Sequence, residues 1–232
     1  LEKLKHRFYN KSRKEQNRIL GGIALGFMLL ITASIIISIY AEIYLIGILT
    51  FAIGLSIIAP FFDMPSLKKS GRIIYYSSLF VSEKPKDGTL KIHGGTLFDY
   101  YYVLDKNMKA KERRNFILQQ YVEGLLRLMA NYKTDKKLII RGTSYIINKR
   151  TAKKIGFEIR KTDNLQKIIL YYNYFNILIS NSIAKKKLSF PNLNNTKTFE
   201  AHIDHLLEKK EYIEKLNVSL TRAITHASEP SI

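Results

Sequence analysis

The residues best suited to chemistry lie in the run His93-Gly94-Gly95-Thr96-Leu97-Phe98-Asp99. Paired glycines give a strand nothing to pack, so the stretch reads as a place where the backbone bends or another group approaches closely. His93 could serve as a general base oriented by Asp99, with Thr96 or the glycine amides binding an oxyanion. The plain alternative is a β-bulge carrying a surface histidine. A second Gly-Thr pair, in Gly142-Thr143-Ser144, also falls inside an apolar stretch that reads as a strand. Were the two strands neighbours, His93, Thr96, Asp99, Thr143 and Ser144 could line one cleft; the alternative is a simple strand kink. His202 and His205 share a helix face beside Asp204 and Glu208, but this spacing matches no familiar ligand set, so no metal site is assigned.

The stretch Asn148-Lys149-Arg150-Thr151-Ala152-Lys153-Lys154-Ile155-Gly156-Phe157 resembles the helix that ends in Gly-Phe in the N-acetyltransferase superfamily. That resemblance covers ten residues and implies that the Asn and Ala positions lie beside acyl-coenzyme A. The glycine-rich pyrophosphate loop that the superfamily carries upstream is missing here. Dinucleotide and P-loop signatures are also absent, as is a Gly-x-Ser-x-Gly elbow, and the sequence identifies no cofactor. There is no cysteine, which excludes disulfides, thiolate metal sites and a thiol nucleophile. Tyr75, Tyr76, Tyr100, Tyr101, Tyr102, Tyr171, Tyr172 and Tyr174 lie among basic residues, a mixture on which single-stranded nucleic acid could stack. Clustered tyrosines on strands are more often a core or an interface rim, and nucleic acid is set aside as a partner.

The elements that must position these residues begin with two uncharged stretches, 19–40 and 43–62, of 22 and 20 residues. At about 1.5 Å per residue each can cross a hydrocarbon core of about 30 Å. A second span follows the first almost at once, unlike a cleaved signal peptide, so both are expected to persist. Lys3, Lys5, Arg7, Lys11, Arg13, Lys14 and Arg18 precede the first span, Lys68, Lys69 and Arg72 follow the second, and the link holds neither Lys nor Arg. The positive-inside rule then predicts cytoplasmic ends and an outward tip. Gly22 and Gly26 form a GxxxG that could serve a dimer contact or packing within the hairpin. Pro60 and Pro65 flank Asp63 as a stiff exit.

The chain as far as Asp63 sets seven Lys and Arg against four acids, leaving +16 of the formal +19 to the remainder. A surface so charged seeks anionic partners, although biased composition would produce the same excess. Within it, 72–81 reads as a strand, Asp87-Gly88 as a tight turn, and 90–104 as a second strand interrupted at the glycines. A packing helix follows over about 109–133, where Lys109, Lys111, Arg113 and Arg114 oppose the positive end of the helix dipole and invite an anionic surface. Next come a strand over 137–147, a short helix capped by Asn148 and closed by Gly156, strands over 157–161 and 166–172, and a helix over 174–187. The last element, 198–227, repeats Phe199, Ile203, Leu206, Ile213, Leu220 and Ile224 as a partner-facing or self-docking helix.

The expected fold class is a membrane-anchored α+β protein: a two-helix transmembrane hairpin, one mixed α/β cytoplasmic domain and a long C-terminal helix. The expected divisions are a basic segment 1–18, the hairpin 19–62, the domain 63–195, and an amphipathic helix with tail 196–232. The expected setting is a bacterial inner membrane. Lys68, Lys69, Arg72, Lys109, Lys111, Arg113 and Arg114 are read as contacts to anionic lipid or phosphate. The leading functional expectation is a component of a membrane complex that binds a protein partner or forms a homo-oligomer at that surface. Its rival is a membrane-bound enzyme acting on lipid-linked or acyl substrates through the His93 to Asp99 patch.

Overall fold

The computed structural model describes residues 4–225. Two long apolar helices, α1 (Arg13–Tyr40) and α2 (Leu45–Lys69), open the chain. Ser12 and Glu15 form a capping box that starts α1. It ends in a Schellman turn: Glu42 takes a left-handed conformation, the Glu42 amide donates to Ile39 O, and the Ile43 amide donates to Ser38 O. That turn folds α2 back onto α1. The contact uses small groups, since a side chain on Gly47 would meet Ser38 and one on Gly54 would run into Phe27. A side chain added at Gly22 or Gly26 would meet open space, so the GxxxG takes no part in packing within the hairpin. Nor does α2 stop at its prolines, for it continues through Pro60 and Pro65 to Lys69.

The rest of the described chain is a six-stranded mixed sheet with helices around it. Its strands are β1 (Ile73–Ser77), β2 (Phe80–Glu83), β3 (Thr89–Gly94), β4 (Ile139–Ser144), β5 (Glu158–Arg160) and β6 (Lys197–His202), in the order β1-β2-β3-β4-β6-β5. β3 and β4 are parallel and every other pair is antiparallel. The helices are α3 (Leu97–Val103), α4 (Ala110–Asn131), α5 (Lys149–Lys154), α6 (Asn164–Tyr172), α7 (Tyr174–Lys185), α8 (Ile203–Glu208) and α9 (Lys210–Thr225). The expectation for 72–81 was one strand, but it is a hairpin in which Ser77 faces Phe80. Asp87 and Gly88 both have positive φ and close reciprocal Lys86–Thr89 hydrogen bonds, the geometry that an Asp-Gly pair favours.

Three further readings give way to the structure. Within 97–104, Leu97–Val103 is α3 rather than a strand, because Thr96 and Asp99 supply a capping box at its start. Residues 166–172 belong to α6, where the Asp163 carboxylate accepts from the Gln166 amide. The long C-terminal helix is three elements. Phe199, Ala201 and Ile203 alternate inward with period two, so the run starts as β6 and then turns into α8 and α9.

The main core lies on one sheet face, where Leu90, Ile140, Phe199 and Ala201 meet Leu125, Leu128 and Met129 of α4, Leu206 of α8 and Ile213 of α9. Gly124 lets α4 approach this closely, since an added methyl would sit 2.5 Å from Phe80 Cβ. A second core forms on the opposite face at the β1–β2 end. There Phe8, Met64, Ile73, Tyr75, Val81, Phe98 and Tyr102 bring together the N-terminal segment, the end of α2, two strands and α3.

Candidate functional site

The most unusual chemistry in the molecule sits inside that second core. In the N-terminal segment the buried His6 and Phe8 alternate with the exposed Lys5 and Arg7, and the chain then curls through a turn over 7–10 in which the Asn10 amide donates to His6 O. Arg7 fixes the segment to the end of α3 by donating to Tyr101 O and Leu104 O through its guanidinium, while its amide donates to Tyr102 O. His6 is thereby fully buried among rings, with centroids 4.4 Å from Tyr9, 4.9 Å from Phe98 and 5.9 Å from Tyr102.

Asp99 is also fully buried. Its Oδ1 accepts a 2.7 Å hydrogen bond from the Tyr75 hydroxyl and lies 3.3 Å from His6 Nε2. Its Oδ2 accepts from the Thr96 amide at 2.7 Å and the Thr96 hydroxyl at 3.0 Å. A buried carboxylate needs such donors, because desolvation otherwise drives it neutral. The His6 contact is close but poorly aligned, and neither ring nitrogen makes a well-formed hydrogen bond. Tyr9 completes the group, its hydroxyl donating to Tyr75 Oη at 3.4 Å, and Lys68 Nζ stands 3.5 Å above the Tyr9 ring. Burial, more than any other cause, pushes the Tyr75 and Tyr9 phenols well above their ordinary range. These tyrosines stay protonated and act as donors. With its oxygens occupied and no solvent access, the group is built to hold elements together.

The sequence-derived candidates fall into separate settings. His93 is half-exposed on the outer sheet face and pairs with Glu83 at 2.9 Å. The hydrogen bond from His93, ahead of any other cause, holds the Glu83 carboxyl below its usual range. Thr96 and Asp99 are together, as the cap of α3. The supposed neighbourhood of the two strands exists, since β3 and β4 pair with Ile92 opposite Gly142. Yet Thr143 Oγ1 lies 3.3 Å from Thr198 Oγ1, and Ser144 Oγ accepts from the Ile146 and Ile147 amides, which binds both to local structure.

The basic set divides as well. Lys69, Arg72, Lys109, Lys111 and Arg114 are exposed, whereas Lys68 covers Tyr9. Arg113 is buried: it donates to Ile183 O, Asp105 O and Lys106 O, and so clamps α4 to α7 and to the preceding loop. The reversed charge at the start of α4 is met within the chain, where Glu112 accepts from the Lys109 amide. Of the supposed partner face, Phe199, Ile203, Leu206 and Ile213 are buried in the protein's own core, and Leu220 and Ile224 are half-buried. The rest of the expected C-terminal helix and tail, 226–232, lies outside the described residues, as does Lys3.

Asn148 caps α5 by accepting from the Thr151 amide, and Gly156 follows in a positive-φ conformation. An open depression runs from Lys149 and Lys153 past Gly156 and Glu158 to His205, Glu208 and Lys209. Its lining mixes lysines with Glu158 and Glu208, so it favours neither an anion nor a cation strongly. Among the described residues no cluster of three or more His, Asp or Glu could hold a metal ion.

His6 escaped sequence reasoning, and Tyr75 was singled out only as one of a cluster of tyrosines, not as the partner of Asp99. The period-two pattern Leu4-x-His6-x-Phe8 is the signal that would have marked His6 as inward-facing. Comparison of the chain with protein-family models, with curated proteins and with solved structures finds no match.

Proposed function

We propose that the chain is an integral membrane protein whose helical hairpin spans the bilayer and holds a basic, non-catalytic domain against its cytoplasmic face. The domain then serves as a subunit or accessory of a membrane complex, binding a protein partner or a second copy. The observation that carries the membrane reading is the exposure of α1 and α2. Each is long enough to cross, at about 42 and 38 Å from about 1.5 Å per residue, and only 11% of each apolar window is buried. Leu29 and Ile48 are 63% and 64% exposed, and water is a poor solvent for such surface. The basic flanks before α1 and after α2, set against the lone Glu42 in the link, favour cytoplasmic ends, as in a bacterial inner membrane.

The buried junction supports the component role. Asp99, Tyr75 and His6 tie the domain to the base of the hairpin through contacts that a freely swinging catalytic head would not need. A fixed orientation presents the same surface to a neighbour at a constant height above the bilayer. The experiment is alkaline carbonate extraction followed by cross-linking in native membranes. The expected result is retention in the pellet and a discrete complex larger than the monomer. Extraction into the supernatant would refute the membrane reading, and a monomer at native abundance would refute the component reading.

A further inference from the structure

Between Asp163 and Glu200 the chain holds no acidic residue and carries Lys167, Lys185, Lys186, Lys187 and Lys197. Within this stretch, α6 places Leu165, Ile168, Ile169 and Tyr172 at the i, i+3, i+4 and i+7 spacing that makes one apolar stripe. Such a stripe ordinarily faces a core. Here no residue of α6 is buried: Leu165 is 68% exposed, Ile168 65% and Tyr172 66%. Just beyond α7, Leu188 and Phe190 add two more side chains exposed by 70% and 67%. The stripe therefore needs an apolar phase that the protein's own domain does not supply.

Position identifies that phase. α6 packs on α7, and α7 packs against both α2 and α3. α3 meets α2 at Phe61, whose ring lies edge-on to Phe98 and Tyr101. The stripe therefore stands beside the end of the hairpin, within a helix diameter or two of its exposed apolar surface. Tyrosines at 171, 172 and 174 suit the depth of lipid headgroups, and a lysine-only stretch suits their negative charge.

We propose that α6, together with Leu188 and Phe190, is an interfacial element that lies in the bilayer surface. Its apolar stripe enters the headgroup and upper acyl region, while the lysines meet anionic lipid. This inference rests on the transmembrane reading of α1 and α2. It gives the domain a second attachment to the membrane besides the hairpin.

The chain has no cysteine, so single-cysteine variants report one position each. The test uses the full chain in nanodiscs of phosphatidylcholine and phosphatidylglycerol, with nitroxide labels on Ile168→Cys, Leu29→Cys and Lys133→Cys. Lys133 follows the end of α4 remote from Arg113, the residue that contacts α7, and serves as the water reference. The expected ratio of oxygen to nickel-chelate accessibility at Ile168 is about tenfold that at Lys133, and lower than that at Leu29, as for a helix in the interface. Replacing phosphatidylglycerol with phosphatidylcholine is expected to lower the Ile168 ratio, and an unchanged ratio would overturn the role of the lysines. An Ile168 label that matches Lys133 while Leu29 remains in lipid would overturn the inference and leave the hairpin standing. Shielding of Ile168 from both reagents would overturn it in favour of a protein contact. A Leu29 label open to the nickel chelate would refute the hairpin itself, and this inference with it.

Discussion

Replacing Asp99 with alanine removes the acceptor on which the buried junction depends. Three donor groups lose their partner: the Tyr75 hydroxyl and the amide and hydroxyl of Thr96, all within 3.0 Å of the carboxylate. The Tyr75 hydroxyl and the His6 ring then remain inside the protein with no carboxylate beside them. Leaving a buried donor without its acceptor costs about 1–3 kcal/mol, so the three together cost about 3–5 kcal/mol once the part-exposed Thr96 groups recover some solvent. For a chain of this size 1 kcal/mol moves the unfolding midpoint by about 2–4 °C, so the expected fall is about 6–20 °C. Asp99→Asn is expected to fall in between, because one amide oxygen can serve Tyr75 or Thr96 but not both. Tyr75→Phe alone removes one hydrogen bond to a charged group, worth about 1.5–3 kcal/mol.

The decisive comparison is the double variant. If the two side chains act through their mutual bond, Tyr75→Phe costs less in the Asp99→Ala background, with a coupling of about 1–3 kcal/mol. The assay is thermal unfolding of the full chain in nanodiscs, followed by near-ultraviolet circular dichroism. Trypsin gives an independent readout, since release of the N-terminal segment frees the backbone at the already exposed Lys5 and Arg7, held in place by the Arg7 amide on Tyr102 O, for cleavage. Additive effects, or a midpoint that falls by less than about 2 °C for Asp99→Ala, would refute the reasoning.

Arg113→Lys removes a planar fork that reaches three carbonyls, which a single ammonium cannot replace, and is expected to cost about 2–3 kcal/mol by thermal unfolding. Gly124→Ala is expected to cost about 1–3 kcal/mol by the same measurement, because its methyl must displace Phe80 from the α4 interface. The Glu83 carboxyl is held below its ordinary range by His93, so the pairing contributes stability above that range, and the contribution is lost as pH falls through the depressed value. Near-half exposure limits the gain to about 0.5 kcal/mol. In a carboxyl carbon NMR titration, His93→Ala should move the Glu83 midpoint upward, and an unmoved midpoint would show that His93 is not the cause.

The parts of the fold that were legible in the sequence are those fixed by long runs or by local turn chemistry. The uncharged stretches match α1 and α2, the 3.6-residue period of Leu118, Leu125 and Met129 marks α4, and Asp87-Gly88 closes its turn. Composition misled at α3 and α6, where Phe98, Tyr100, Tyr101 and Ile168, Ile169, Tyr171 look like strand residues. In both places the capping residue overrode side-chain preference, through Thr96 with Asp99 and through Asp163. The C-terminal heptad spacing was accidental. Phe199 at the start of the series belongs to a strand, and the same residues satisfy a period of two as far as Ile203. The junction was illegible for a different reason, since it joins His6, Tyr75 and Asp99 across the whole length of the first hundred residues. Only the fold brings them within contact.

That separation bears on how the molecule works. A hairpin and a mixed-sheet domain joined only by a linker could move independently, and each would bury its own core. Here the second core is shared: Phe8 and Met64 come from the hairpin side, Val81 and Phe98 from the domain side, and Asp99 lies in the midst of them. Tyr75 and Thr96 belong to the domain and move with Asp99, so the polar contacts that fix its seating are those that cross to the hairpin side: His6 Nε2 at 3.3 Å from Asp99, the Tyr9 hydroxyl on Tyr75, and Lys68 over the Tyr9 ring. Apolar packing alone would tolerate shifts in that seating. The junction thus converts two apolar helices from a simple tether into a mount that sets the angle of the sheet and, through α7, holds α6 beside the helices.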